Sequence, residues 1–379
     1  MKSISVKNLL LVPFFVLLWG PMLQDNLHIF KGGELKGSYT PPADISFDFK
    51  NWFDGSYSEK KGEFLSYCFG IRPDFVRIYN QLKFWTFKTS VNENIVVGKE
   101  NYLYEQNYIN EYFGTNYVGE EKINNNIRDL KELQDTLAAR GILLFTVFAP
   151  GKGSFYPEYI PESAVKPMQP HTNYASYISA CKKEGINFLD FRAWFLAMKD
   201  TSRYRLFPRC GVHWSLYGDY IAFDSIVRYV QTKTGKDLPD FKLDSVQLSI
   251  TPRNRDYDAG EGLNLISPIY GSDTLAYPLF TIKEWKTKDQ LTNLTIADSY
   301  YFEMYDKMSP FVFREDDFWY YFQEYWSYNG HKANKEDVKA IVCAHNVICL
   351  MYTDGSLFQF GSDFIRPCLE KFKNGSNAL

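Results

Sequence analysis

Ser299 and His213 are the two residues whose types and settings together can make a nucleophile and its base. Ser299 lies in Leu294-Thr295-Ile296-Ala297-Asp298-Ser299-Tyr300-Tyr301. Leu294 to Ala297 reads as the end of a short strand buried on both faces, because parallel strands show continuous apolar runs. A serine at the carboxyl end of such a strand sits where open α/β sheets place their chemistry. There its hydroxyl is exposed and the following backbone N–H groups face whatever it attacks. Most serines at this position merely cap helices, so a second residue has to support the reading. His213 supplies it, in Phe207-Pro208-Arg209-Cys210-Gly211-Val212-His213-Trp214-Ser215-Leu216-Tyr217-Gly218. Ser215 is a helix N-cap, which puts His213 in the loop before a helix. A lone histidine beside tryptophan is more often a packed structural residue. A serine and a histidine on two loops of one sheet, however, can form an acyl-transfer pair in any chain order.

Regular helix–strand alternation must bring the two loops together. Ile123, Ile127, Leu130, Leu133 and Leu137 fall at helical spacing before Gly141. Ile142 to Phe148 is a continuous apolar strand, a helix over about 174–183 follows, and Ile186 to Phe191 is a strand containing Asp190. The helix after Ser215 ends at Gly235. The last strand is Asn346 to Tyr352. This alternation predicts an α/β fold, a parallel sheet flanked by helices. The stretch 242–284, rich in Asp, Gly and Pro, reads as an irregular surface excursion, and helix-like segments are expected between Ser299 and the last strand. Upstream, 47–67 is expected to be partly helical and Phe75, Tyr79, Leu82 and Phe84 mark another helix. Residues 95–104 read as two short strands around a Gly-Lys-Glu-Asn turn.

Lys2 and Lys7 precede an apolar run from Leu9 to Leu23 that Pro13, Gly20 and Pro21 interrupt. The run is short for a membrane span, and no small-x-small cleavage site follows. With Trp19 near its far boundary it suits an uncleaved signal-anchor at the inner membrane. The expected organisation is anchor or signal 1–30, linker and extension 31–115, catalytic domain 116–368 and tail 369–379. A net charge of −3 without a basic run argues against nucleic acid as partner. The six cysteines form no C-x-x-C pair, so a structural zinc site is not expected, and no cofactor is expected either. Asp316-Asp317 reads as a solvated pair and His345 as structural. Lys152 and Arg314 are possible cationic helpers for an oxyanion, with solvated or ion-paired roles the simpler expectation.

Gly-x-His-Trp-Ser-x-Tyr-Gly at 211–218, followed by Ala-Asp-Ser-Tyr at 297–300, resembles the alginate O-acetyltransferase-like branch of the SGNH hydrolase superfamily. The similarity takes in Phe69-Gly70-Ile71-Arg72, the Val97-Gly98-Lys99 turn, Ala149-Pro150-Gly151-Lys152, Tyr156-Pro157-Glu158 and Tyr352-Thr353-Asp354-Gly355-Ser356-Leu357. It implies an extracytoplasmic enzyme that acetylates hydroxyls of a secreted polysaccharide. The resemblance further implies a membrane-bound O-acyltransferase as acyl supplier. Ser299 then matches the nucleophile, His213 the general base and Asp298 the motif aspartate that shapes the turn, with Tyr300, Trp214 and Ser215 as supporting motif residues. A carbohydrate acetylesterase using the same pair is the alternative enzyme.

One position departs from that pattern. The branch carries Asp-x-His-Trp, and here the aspartate position is Gly211. Loss of such an aspartate costs up to ~10⁴ in rate in serine proteases. Another carboxylate can replace it, Asp190 being the first choice. A backbone carbonyl can hold the ring to give a Ser–His dyad, the expected arrangement. A degenerate site that only binds glycan or partners is the third possibility.

Overall fold

A computed structural model describes residues 6–27, 33–37, 41–271, 273–283, 290–327, 330, 334–361 and 364–374. Lys2, Glu284 and the end of the expected tail, 375–379, lie outside the described residues. The chain divides into two compact units, residues 1–93 with 260–268 and residues 94–259 with 269–379.

In the first unit the apolar run forms α1 (Val6–Leu27), with Pro13 and Pro21 inside it. Leu11, Val12, Phe15, Trp19 and Leu23 are exposed along it. Among the described residues no helix is long and apolar enough to cross a membrane. Helices α2 (Phe49–Phe53), α3 (Ser56–Cys68) and α4 (Arg72–Phe87) follow, as the aromatic spacing predicts. The Asn80 amide of α4 donates to the Leu263 carbonyl at 2.9 Å, which ties 260–268 to this unit.

The second unit opens with β1 (Ile95–Val97) and β2 (Leu103–Glu105), an antiparallel pair, and α5 (Gln106–Phe113). The predicted alternation comes next: α6 (Glu120–Ala138), β3 (Leu143–Ala149), α7 (Lys152–Phe155), α8 (Asn173–Glu184), β4 (Phe188–Asp190), α9 (Phe191–Met198) and α10 (Leu216–Thr234). After β5 (Asp240–Ser249), α11 (Asp258–Gly262) and β6 (Leu275–Lys283) come β7 (Thr292–Ala297) and α12 (Phe302–Lys307). The chain ends with β8 (Glu315–Tyr320), β9 (Glu324–Ser327), α13 (Val338–Cys343), β10 (Val347–Thr353) and α14 (Ile365–Asn374).

The central sheet has the order β4-β3-β10-β7-β8-β9. It is parallel from β4 to β8, and β9 adds an antiparallel edge, so the sheet is mixed rather than purely parallel. Leu144, Phe148, Ile348, Leu350, Leu294 and Ile296 turn one face onto α6, α8, α13 and α14. The alternate residues serve the other face, where Phe145 meets Tyr229 of α10 at 5.2 Å between ring centroids. Burial on both faces is why these strands are apolar throughout.

Three expectations are corrected. The stretch 242–284 is not simply irregular: β5 and β6 form an antiparallel ribbon with a register shift between Leu243 and Ser245, and Phe241 packs on Phe223 of α10. The helical segments expected between Ser299 and the last strand are present as α12 and α13, but two unexpected strands, β8 and β9, lie between them, since the consecutive aromatics Phe318-Trp319-Tyr320 favour a strand. Residues 369–374 continue α14, with Leu369 and Phe372 in the core, and are not a separate tail.

The Asp316-Asp317 pair is not solvated either. Asp316 accepts from the Asn293 amide at 2.6 Å and the Tyr301 hydroxyl at 3.2 Å, while Asp317 lies 3.3 Å from His345. Burial raises the Asp316 carboxyl from 3.8 to about 7. The native state therefore holds a proton that the unfolded chain has lost across that interval, so this group's stabilisation is lost as pH rises through about 7. An Asp316→Asn variant should show a flatter decline of melting temperature between pH 4 and 7 than the parent chain, about 4 and 7 being the two ends of this linkage interval.

Candidate active site

The edge formed by the carboxyl ends of β3, β10 and β7 carries the motif residues. β7 stops at Asp298 because this side chain turns back on the backbone. Its Oδ1 accepts from the Tyr300 N–H at 3.1 Å, and its Oδ2 accepts from the Thr353 N–H, the Thr353 hydroxyl and the Ser356 hydroxyl at 3.1, 2.7 and 2.8 Å. Asp298 thereby ties the end of β7 to the end of β10 and starts the 3-10 turn Ser299–Tyr301. The Gly151 N–H in turn donates to Asp354 at 3.1 Å, joining the ends of β3 and β10.

Ser299 and His213, 86 positions apart, meet here: Ser299 Oγ lies 2.8 Å from His213 Nε2. The loop that delivers His213 is fixed from several sides. Ser215 caps α10 by accepting from the Gly218 N–H at 3.0 Å and donates its hydroxyl to the Arg205 carbonyl at 2.6 Å. Trp214 donates its indole N–H to Asp219 at 2.8 Å and stands edge-on to the Tyr300 ring at 5.1 Å. Tyr300 donates its hydroxyl to the Val212 carbonyl at 3.0 Å. Lys152, 1 % exposed, donates to the Leu103 and Arg209 carbonyls at 3.0 and 3.1 Å and to the Gly211 carbonyl. Burial pulls its ammonium down to about 8. Lys152 therefore clamps the histidine loop; contrary to the simpler expectation it is neither solvated nor ion-paired, and its donors are spent rather than free to help an oxyanion. Arg314 is likewise elsewhere, 3.5 Å from Glu315 on the surface. Tyr300 spends its N–H on Asp298, which leaves the Ser299 N–H, at the first position of its turn, as the better placed backbone donor for an oxyanion.

The ring's other nitrogen decides between the three arrangements left by Gly211. Asp258 Oδ2 lies 2.5 Å from His213 Nδ1. Its Oδ1 accepts from the Val212 and Ala259 N–H groups at 2.7 and 2.6 Å. Burial by itself would raise this carboxyl, but the His213 ring and the two backbone N–H groups outweigh burial and hold it below the usual carboxylate value. An ionised carboxylate only accepts. Nδ1 therefore carries a proton, and in the neutral ring this leaves the Nε2 lone pair facing the Ser299 hydroxyl. The expectation of a dyad is corrected to a three-membered chain. Asp190 is also corrected: it accepts from the Tyr174 hydroxyl at 2.9 Å and caps α9 through the Ala193 N–H, with no contact to the imidazole.

Gly211 and Asp258 are two parts of one arrangement. A Cβ on Gly211 would come within 2.7 Å of the Arg255 carbonyl oxygen and 3.0 Å of the Asp256 carbonyl carbon. The missing side chain is thus the space through which the segment carrying Asp258 passes. An aspartate placed here by Gly211→Asp should displace that segment. The expected outcome is a loss of about 1–3 kcal/mol in stability from overpacking. A drop of at least about tenfold in any Ser299-dependent turnover should accompany it, read by thermal melting and an acetyl-ester assay.

The 253–258 segment also brings in a residue that the sequence reading did not single out. Arg255 Nη1 donates to the Ser299 carbonyl at 2.9 Å and lies 3.4 Å from His213 Nε2. No periodicity marks Arg255 or Asp258. The available signal was a dense Arg-Asn-Arg-Asp-Tyr-Asp run in a stretch otherwise lacking pattern. Among the described residues no group of three or more His, Cys, Asp or Glu is arranged to hold a metal ion, and all six cysteines are free thiols.

Residues 95–272 match the family described as "SGNH hydrolase-like domain, acetyltransferase AlgX". That span contains Lys152, His213, Arg255 and Asp258 and ends before Ser299. The O-acetyltransferase domain of Pseudomonas putida AlgJ superimposes with a TM-score of 0.50 at 17% identity, covering 74% of this chain and 99% of that one, a likeness of fold. Bacillus cereus PatB1 gives 0.44 at 10% identity, covering 70% of this chain and 97% of that one. Pseudomonas aeruginosa AlgX gives 0.43 at 14%, covering 75% and 69%. No curated protein matches by sequence.

Proposed function

We propose, from the match of residues 95–272 to the family described as "SGNH hydrolase-like domain, acetyltransferase AlgX", that this protein is an extracytoplasmic O-acetyltransferase acting on a polysaccharide. The observation that carries the reading is the continuous chain Asp258–His213–Ser299, with hydrogen-bond distances of 2.5 and 2.8 Å, at the carboxyl end of a parallel strand. In the first half-reaction Ser299 Oγ attacks the acetyl carbonyl carbon of a donor while Nε2 takes the hydroxyl proton. The donor's leaving oxygen then departs with that proton. Asp258 holds the ring in the required tautomer and balances the charge it gains. In the second half-reaction a sugar hydroxyl gives its proton to Nε2 and attacks the acetyl-serine. Asp298, Tyr300, Trp214, Ser215 and Lys152 act by fixing the two loops.

The location outside the cytoplasm is part of the same proposal. Its support is the apolar run of α1, with Leu11, Phe15, Trp19 and Leu23 exposed, which would hold the chain at the inner membrane surface beside a membrane-bound O-acyltransferase that supplies acetyl groups. The test is to incubate the full chain with a chromogenic acetyl ester and a polysaccharide. Acetyl appearing on the glycan supports transfer. Chromophore release with free acetate as the sole acetyl product supports the esterase instead, and no release at all defeats both.

A further inference from the structure

We infer that Arg255 forms an acceptor subsite: its guanidinium binds a hydroxyl or carboxylate group carried by the sugar carbon next to the one bearing the hydroxyl being acetylated, and so favours sugar over water in the second half-reaction. The inference rests on the acyl-transfer reading above and adds to it what recognises the acceptor.

The geometry places Arg255 on the acceptor side. To lose its proton, the attacking hydroxyl must come within about 2.6–3.2 Å of His213 Nε2. Arg255 Nη1 flanks that position, 3.4 Å from Nε2. A hydroxyl or carboxylate group on the neighbouring ring carbon of a bound sugar falls beside the guanidinium, whereas water brings no second oxygen to bind there. The guanidinium is aimed before any substrate arrives. It lies over the Phe302 ring at 4.8 Å, donates to the Ser299 carbonyl at 2.9 Å, and its Nε is 3.9 Å from Glu303, too far for a direct hydrogen bond. With its side chain 29% exposed, it can be reached from solvent. Of the five N–H donors in a guanidinium's fixed fork, these contacts leave some to meet a hydroxyl or a carboxylate.

The step balances within the acetyl-enzyme. The acceptor oxygen forms a bond to the acetyl carbonyl carbon, its proton passes to Nε2, and the carbonyl π pair moves onto the carbonyl oxygen. Collapse of this intermediate re-forms the carbonyl and breaks the bond between carbon and Ser299 Oγ, which recovers its proton from Nε2. Arg255 undergoes no covalent change and fixes which oxygen occupies the attacking position.

The test uses the full chain with p-nitrophenyl acetate as donor and either cellotetraose or an oligogalacturonate as acceptor, comparing wild type with Arg255→Gln and Arg255→Lys. The readout is acetylated sugar divided by free acetate, a ratio set after the serine has been acylated. Loss of a charged hydrogen bond predicts a fall of about 10–100-fold in the Gln variant. Partial recovery is expected in the Lys variant, which keeps the charge without the fork. A larger fall with the galacturonate assigns the bound oxygen to a carboxylate, and equal falls assign it to a hydroxyl; either supports the inference. Slower nitrophenol release with an unchanged ratio would mean that Arg255 only holds the Ser299 carbonyl, and would overturn it. A wild type that releases nitrophenol yet acetylates neither sugar also overturns it, while sparing the Ser–His chemistry. No Ser299-dependent release at all removes the proposed function, and this inference with it.

Discussion

Asp258→Asn should lower turnover of an acetyl ester by about 10⁴-fold, the loss seen when a serine protease's orienting aspartate becomes asparagine. The substitution keeps the volume of the side chain, and its Oδ1 can still accept from the Val212 and Ala259 N–H groups at 2.7 and 2.6 Å. What changes is the atom facing His213 Nδ1 at 2.5 Å. If the amide NH₂ turns there, Nδ1 must accept, the ring proton moves to Nε2, and the ring can no longer take a proton from Ser299. The reverse orientation is disfavoured, because its NH₂ would meet the Val212 and Ala259 N–H groups donor against donor, and in it the imidazolium formed in the reaction would face a neutral group instead of a carboxylate. Both orientations remove transition-state stabilisation and leave the fold standing. Asp190→Asn is the matched control, because that side chain serves Tyr174 and the N-terminus of α9. Its turnover should remain within about threefold of wild type, the range of an ordinary hydrogen-bond change. Steady-state kinetics of the two variants, with melting curves to establish folding, check both expectations.

Ser299→Ala should be more severe still. Removing the nucleophile from a triad enzyme costs on the order of 10⁶ in kcat, leaving only what binding and charge stabilisation provide. The hydroxyl removed is bonded to His213 at 2.8 Å. The turn around it is maintained by Asp298 through Tyr300, Thr353 and Ser356, so the variant should fold with an unchanged melting profile. Glycan binding that survives this change is expected, since the acceptor contacts lie elsewhere. Turnover that survives it would assign the chemistry to another residue.

Much of this architecture was legible in the chain because it rests on burial. Ile123, Ile127, Leu130, Leu133 and Leu137 repeat at the helical period since one face of α6 covers the sheet. Ile296 and Ala297 announce β7 because both faces of that strand are covered. The Ser299 and His213 motifs were readable because each is a local arrangement, a capped turn after a strand and a loop before a capped helix. Asp258 was not. It stands 45 positions beyond the histidine it holds, in a segment whose path is set by the β5–β6 ribbon and by the space at Gly211. Only tertiary packing brings that segment back to the ring. The same holds for Lys152, whose sequence setting suggests a free cation but whose ammonium is enclosed by three backbone carbonyls. β8 and β9 were missed because aromatic residues suit either a helix or a strand until their partners are known.

Everything turns on whether Ser299 carries the acetyl group between donor and acceptor. The direct measurement is mass spectrometry of the full chain, quenched in acid during turnover of an acetyl ester and digested with protease. The prediction is one acetyl group on the peptide containing Ser299, rising with ester concentration, discharged by added glycan and absent from Ser299→Ala. Turnover proceeding with that peptide unmodified, or with the acetyl group on a different residue, would contradict the account.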